Sequence, residues 1–203
     1  MNILAFSPEK IEELKALFTR NANAPASCKK DCIQILNSGM ELIYGNRILP
    51  LGTAIHQSLA ILEKKGHASA PRVIQFTDKY GQITYGEDHP HKLNAKAMAV
   101  MQNMAHNKFG WHIFALSILD GYHSVTLLFN NTREPFVYWC DQWNVKNLKC
   151  LGGTMKFGGC KRMNGFNLDA VITELTRRWW DWEPDPLKKP KTRATLWRLL
   201  PSK

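Results

Sequence analysis

Three consecutive strand-like runs in the second half of the chain constrain its fold more than any other feature. They cover 111–119, 122–129 and 136–140, and they are rich in β-branched and aromatic residues. The two connections, 120–121 and 130–134, are short and have turn-like composition. Parallel neighbours need a long crossover, so connections of this length indicate antiparallel neighbours. The sequence therefore predicts an antiparallel meander at the centre of the fold.

Helical periodicity dominates the chain before these strands. Ser7 and Pro8 suit the cap and first position of one helix, and Asp31 suits the cap of a second that ends near Gly45. Helices first and strands afterwards predict the α+β class, with N-terminal helices packed on a central antiparallel sheet. The other predicted elements are a helix over 53–65, a hairpin over 72–85, a helix over 93–106, a glycine-rich loop over 152–159, a C-terminal helix over 168–179 and an edge strand over 195–200.

The composition is that of one globular domain with a strong positive charge. We expect a single domain over 1–203, with a basic C-terminal segment at 184–203. The net charge of +10 predicts attraction to polyanions without choosing among them. No apolar run approaches the ~18 residues of a membrane span, and 1–10 lack the pattern of a cleavable leader. Five cysteines without paired spacings predict at least one free thiol and no disulfide framework.

Cys32 directly follows the capping Asp31 and would begin the second helix. A lone cysteine is often only a small buried hydrophobe. At this position, however, the unpaired N–H groups and the positive end of the helix dipole favour a thiolate, so Cys32 is the candidate nucleophile. Cys28 is the rival nucleophile. Ser27 could cap the helix instead, which would leave Cys28 in its first turn and Cys32 one turn later.

His123 and Asp141 are predicted to start one strand and to end the next. By alternation both face the apolar side of the sheet, and antiparallel pairing brings them to the same edge. A carboxylate in that setting needs a partner, which the histidine supplies. If the Cys32 helix packs across the same face, Cys32 is the nucleophile, His123 the general base and then acid, and Asp141 the group that fixes the tautomer. Gln142 could add an amide donor.

Three segments, 31–39, 121–127 and 138–143, together resemble a family of bacterial toxin domains, and 168–199 fits the same family. Those domains occur with type VI secretion and related contractile injection systems. They are similar to papain-fold cysteine peptidases, the group that includes NlpC-type cell-wall endopeptidases. One departure is Cys140, where a small polar residue such as serine is expected, and which would put a second thiol beside Asp141.

The resemblance implies an antibacterial effector, a cysteine peptidase or amidase that hydrolyses an amide bond through a Cys-His-Asp triad. The expected substrate is the peptide stem of peptidoglycan, and the alternative is a protein in the cytosol of the recipient cell. The expected partners are a cognate immunity protein and a secretion apparatus or carrier protein. The chain would be made in the bacterial cytoplasm without a signal peptide and injected into a target cell. No cofactor is implied.

A non-catalytic basic module that binds nucleic acid is the alternative from another class, and an inactive structural module is a third. Nucleic acid is not expected as a partner, because Trp179 falls on the buried stripe of the last helix and no recognised motif appears. The residues that would form such a surface are Trp179, Trp180, Trp182, Trp197 and the basic tail, which includes Arg198 and is expected to be solvated. The cysteines and histidines lack the spacing of a zinc site, so no metal is expected.

Overall fold

Three α-helices begin the chain, most of the strands follow, and a helix and a strand come last. The structure is a computed structural model that describes residues 5–45, 55–75, 96–118, 123–142, 148–150, 153–155, 159–182 and 193–201. The α-helices are α1 (Pro8–Asn23), α2 (Cys32–Tyr44), α3 (Ile55–Lys64), α4 (Lys96–Met104) and α5 (Gly165–Trp182), and a 3₁₀ helix covers Ala26–Cys28. The strands are β1 (Arg72–Gln75), β2 (Gly110–Ile118), β3 (His123–Asn131), β4 (Phe136–Asp141), β5 (Leu148–Cys150), β6 (Gly153–Met155), β7 (Gly159–Met163) and β8 (Arg193–Leu199).

An antiparallel sheet of six strands forms the centre of the described fold, in the order β1-β8-β2-β3-β4-β7. The meander predicted from the short connections is confirmed, since β3 pairs with β2 on one side and with β4 on the other. The α+β class is confirmed at that level. The strands β5 and β6 form a separate two-stranded sheet.

The last strand is not an edge strand, so that prediction is wrong. β8 lies between β1 and β2 and pairs with both. Its side chains are buried on both faces of the sheet, Leu196 on one and Trp197 on the other. Arg198 is also buried, at 3% exposure, and therefore does not belong to a solvated tail. Position at the end of the chain suggested an edge, whereas the apolar content of both faces suits an interior strand.

One further predicted element needs correction, and another lies partly outside the described residues. β1 pairs with β8, and the predicted second arm of the hairpin, at 82–85, is not among the described residues. The predicted glycine-rich loop contains β6 and the first residue of β7. β7 continues the sheet by pairing with β4. Short strands with glycines at their ends resemble a loop in sequence, and only pairing with β4 identifies β7 as part of the sheet.

Helices cover both faces of the sheet. On one face, called here the α1–α3 face, the apolar residues of α1, α2 and α3 pack with Ile113, Leu128 and Cys140. On the other, the α4–α5 face, α4 and α5 pack with Leu127 and Trp139. The N-terminal helices thus lie on the sheet as predicted, and the C-terminal helix lies behind it. No helix in the described ranges is both long and apolar enough to cross a membrane.

Cys140 and Cys160 form a disulfide between β4 and β7. The two residues lie directly opposite each other in the strand register. The sequence predicted no disulfide framework and did not indicate this single pair, and the expectation that Cys140 places a second thiol beside Asp141 is wrong. A separation of 20 residues matches no recognised disulfide motif, so the pairing could not be read from the sequence. The two cysteines meet because their strands pair. Cys28 and Cys32 are free thiols.

Candidate active site

The start of α2 is fixed by a reciprocal cap. The Asp31 carboxylate accepts hydrogen bonds from the N–H groups of Ile33 (2.9 Å) and Gln34 (2.8 Å). The Gln34 side chain accepts in return from the N–H of Asp31, at 3.0 Å. This capping box confirms the prediction from sequence and sets Cys32 as the first residue of the helix.

Cys32 is the first residue of α2, a helix whose buried face is mainly apolar. Its side chain is partly exposed. The capping hydrogen bonds use the N–H groups of Asp31, Ile33 and Gln34, and none of the hydrogen bonds in the described part of the chain uses the N–H of Cys32. A donor therefore stands beside the sulfur, at the positive end of the helix dipole.

Strand register brings His123 and Asp141 together. Thr126 is opposite Cys140, so Asp141 lies diagonally across from His123 on the α4–α5 face. Diagonal neighbours are within reach of long side chains. The Nε2 atom of His123 lies 3.0 Å from both carboxylate oxygens of Asp141, and each side chain is only 2% exposed. The predicted pairing of these two residues is present in the structure.

Trp139 is a third member of this cluster. It precedes Asp141 by two residues on β4 and therefore shares its face. Its indole Nε1–H donates a hydrogen bond to Asp141 Oδ2, at 3.1 Å. The sequence predicted apolar surroundings for Asp141 but did not single out Trp139. The two-residue spacing and the indole donor were the signals that could have identified this hydrogen bond.

The pKa of His123 reflects these contacts. Burial lowers it, but the negative charge of Asp141 and the hydrogen bond to Asp141 raise it, as do a hydrogen bond and an electrostatic interaction with Cys32. Together they raise the pKa of His123 from its ordinary 6.5 to about 9. Because Asp141 occupies Nε2, Nδ1 is the ring nitrogen that remains for Cys32. An imidazolium at neutral pH can stabilise a thiolate beside it.

The helix that carries Cys32 lies on the opposite face from the one expected. Its buried residues Ile35, Leu36 and Met40 belong to the α1–α3 face, while His123 and Asp141 belong by alternation to the α4–α5 face. The prediction that α2 packs across the face of His123 and Asp141 is therefore wrong. Contact with His123 occurs all the same, because Cys32 starts its helix and His123 starts its strand. They meet at the end of the sheet.

The two remaining candidates from the sequence differ in position. Cys28 is the last residue of the 3₁₀ helix, exposed, with its sulfur 3.8 Å from Ser27 Oγ. It is not in the first turn of α2, so the alternative in which Ser27 caps that helix is wrong. Gln142 follows β4 and is partly exposed. Its role as an amide donor stays a prediction.

Among the described residues, no group of three or more His, Cys, Asp or Glu side chains is arranged to hold a metal ion. His112, one of the histidines considered for zinc, is buried and hydrogen-bonded to the Lys108 carbonyl and the Arg198 guanidinium. His89 and His91 lie outside the described residues.

Comparison with known proteins finds no family model, no curated protein and no solved structure that matches this chain. The resemblance to papain-fold toxin domains therefore stays a prediction.

Proposed function

We propose that the protein is a cysteine hydrolase that cleaves amide bonds with Cys32 as nucleophile, His123 as proton carrier and Asp141 as the carboxylate that orients the histidine. The observation that carries the proposal is the chain of contacts from a partly exposed thiol, through a buried imidazole, to a buried carboxylate. Nucleophile, base and orienting group in this order are the arrangement that covalent acyl transfer requires.

In the first half of the proposed reaction, the Cys32 thiolate attacks the carbonyl carbon of the amide. The carbon–sulfur bond forms while the carbonyl electron pair moves onto oxygen, and the N–H of Cys32 can donate to that oxyanion. His123, as imidazolium, then gives the Nδ1 proton to the amine nitrogen. The carbon–nitrogen bond breaks, the amine leaves, and a thioester remains on Cys32.

In the second half, water replaces the amine. The now neutral His123 takes a proton from water as the oxygen adds to the thioester carbonyl. Collapse of this intermediate breaks the carbon–sulfur bond and releases the carboxylic acid. The thiolate and the imidazolium are then restored, and Asp141 keeps the same hydrogen bond to Nε2 throughout.

The Cys140–Cys160 disulfide bears on the substrate. Disulfides form and persist in the bacterial periplasm and are rare in the cytosol. The pair therefore favours a protein that acts in the cell envelope, where peptide stems of peptidoglycan are the amide substrate, over one that acts on a cytosolic protein. The net charge of +10 also suits an anionic wall polymer. In this proposal the chain is an antibacterial effector, delivered by a secretion apparatus or carrier and blocked at home by an immunity protein.

The nucleic-acid alternative has less support. Trp197 and Arg198, two of the residues counted toward a basic aromatic surface, are buried in β8. They are not available to stack on bases or to contact phosphates.

The test is to incubate purified peptidoglycan with the wild type, C32A and C28A, and to separate the products by liquid chromatography with mass detection. We expect cleaved stem peptides with the wild type and with C28A, the matched control for loss of a free thiol, and none with C32A. A C32A variant that cleaves would overturn the proposal. Toxicity on expression in the cytoplasm but not in the periplasm would move the substrate to a recipient protein.

A second test needs no substrate and measures the rate at which iodoacetamide alkylates each free thiol at about pH 6. An ordinary thiol reacts slowly at this pH because its pKa is near 8.5. Cys32 should be alkylated faster than Cys28, and H123A should remove the difference. Faster labelling of Cys28 would contradict the assignment.

A further inference from the structure

We infer that Trp139 is a positioning residue, whose indole N–H holds the Asp141 carboxylate in the orientation that presents it to His123. This inference rests on the proposed function and adds a fourth residue to the triad. It is carried by the hydrogen bond from Trp139 Nε1 to Asp141 Oδ2, at 3.1 Å.

The Asp141 carboxylate needs an external restraint because of where it lies. It is the last residue of β4, and it is buried. A buried carboxylate loses its hydration and must replace it with donors. His123 supplies one donor from a single nitrogen that is equally close to both oxygens, at 3.0 Å. A nitrogen equally close to both oxygens does not distinguish between them, whereas a donor to Oδ2 does and therefore favours one orientation of the carboxylate.

Trp139 suits this role because it can move little. Its ring is 1% exposed and belongs to the core of the α4–α5 face. Leu127 lies opposite it on β3 and Lys161 on β7, so the strand that carries it has a neighbour on each side. The indole N–H is a donor only. It therefore always presents a hydrogen to Oδ2 and cannot exchange roles with the carboxylate.

The functional consequence passes through His123. A carboxylate fixed by Trp139 keeps Nε2 protonated and the ring oriented, with Nδ1 toward Cys32. Without the indole donor the carboxylate loses this restraint, its contact with Nε2 weakens, and the positive charge on His123 is less stabilised. Trp139 therefore acts through Asp141.

The test is a double-mutant cycle on peptidoglycan cleavage with the wild type, W139F, D141A and the double variant. We expect W139F to lower kcat roughly tenfold, the value of one hydrogen bond to a charged group, with KM nearly unchanged. In the D141A background the same substitution should have little further effect, because the residue through which Trp139 acts is gone. An equal loss in both backgrounds would show that Trp139 only supports the fold, and would overturn the inference.

A second measurement does not depend on activity. The pKa of His123, read by NMR titration, should fall in W139F by roughly one unit, because the stabilising charge is less well oriented. A His123 pKa that stays the same or rises would overturn the inference. W197F is the matched control, since Trp197 is a buried indole on the α1–α3 face, and it should leave the titration unchanged. If W139F does not fold, benzothienylalanine at position 139 keeps the ring shape and removes only the donor.

The two proposals fail in different ways. Cleavage that survives C32A would refute the hydrolase proposal. Cleavage that needs Cys32, together with an unchanged His123 titration in W139F, would refute only the role of Trp139.

Discussion

Replacement of Asp141 by asparagine tests the electrostatics of the candidate site directly. The amide keeps the shape of the carboxylate and loses its charge. In the wild type, burial opposes the charged form of His123, and Asp141 supplies the largest of the opposing effects. The rise of the pKa from 6.5 to about 9 corresponds to about 3 kcal/mol in favour of the imidazolium. In D141N we expect burial to dominate and the pKa of His123 to fall below 6.5, which leaves a neutral ring at pH 7.

The same change has a signature in stability. A pKa raised in the folded state means that the folded protein binds its proton more tightly than the unfolded chain does. The contribution of His123 to the free energy of unfolding is therefore fully present below pH 6.5 and is lost as the pH rises through about 9. Its upper limit is about 3 kcal/mol, from the rise in pKa. D141N should lose this dependence on alkaline pH.

The assay combines NMR titration of the histidine ring protons with urea unfolding at pH 6, 8 and 10. H123A assigns the signal, and its unfolding curve supplies the background pH dependence. D141E, which keeps the charge, is the matched control and should retain a raised pKa. If His123 in D141N still titrates near pH 9, the charge of Asp141 is not the cause, and the ion pair between the two residues is refuted.

Three further predictions concern the disulfide, a buried histidine and the cap of α2. Because the Cys140–Cys160 bridge closes a loop of 20 residues, its reduction should lower the free energy of unfolding by about 3 kcal/mol, and unchanged urea midpoints with and without reductant would contradict this. The pKa of His112 is lowered by burial and by the charge of Arg198, while the hydrogen bond to the Lys108 carbonyl opposes the shift. The contribution of His112 to the free energy of unfolding is therefore present above pH ~6.5 and should be lost on acidification. H112Q should lack this dependence on pH. Asp31→Ala should cost about 1 kcal/mol of stability and slow alkylation of Cys32, whereas S7A, which removes the cap of α1, should cost a similar amount and leave that rate unchanged.

The elements that the sequence predicted correctly are those set by local chemistry. Ser7 and Asp31 cap their helices by hydrogen bonds to N–H groups within three residues, so the signal and the structure lie in the same short segment. The meander followed from connections too short for any other pairing. In the candidate site, alternation along β3 and β4 was sufficient to place His123 and Asp141 on the same face.

The errors concern contacts between distant segments. The insertion of β8 between β1 and β2 joins residues that are more than 70 positions apart, and no local pattern records that pairing. The disulfide depends on the register of β7 against β4 in the same way. The face on which α2 packs was wrong for a related reason. Both faces of β3 are buried, but one of them carries Ser124 and Thr126, and the polarity of these residues wrongly suggested that the helix packs on the other face.

The burial of both faces also explains how the candidate site is built. The core of the α1–α3 face holds α2 and therefore the position of Cys32, while the core of the α4–α5 face holds Trp139 and, next to it, Asp141 and His123. The sheet lies between the two cores, so the distance between thiol and imidazole depends on how each core packs against it. Close-packed cores resist small displacements. A geometry set by two such cores is fixed before substrate binds, which is what a thiolate–imidazolium pair needs if it is to react without rearrangement.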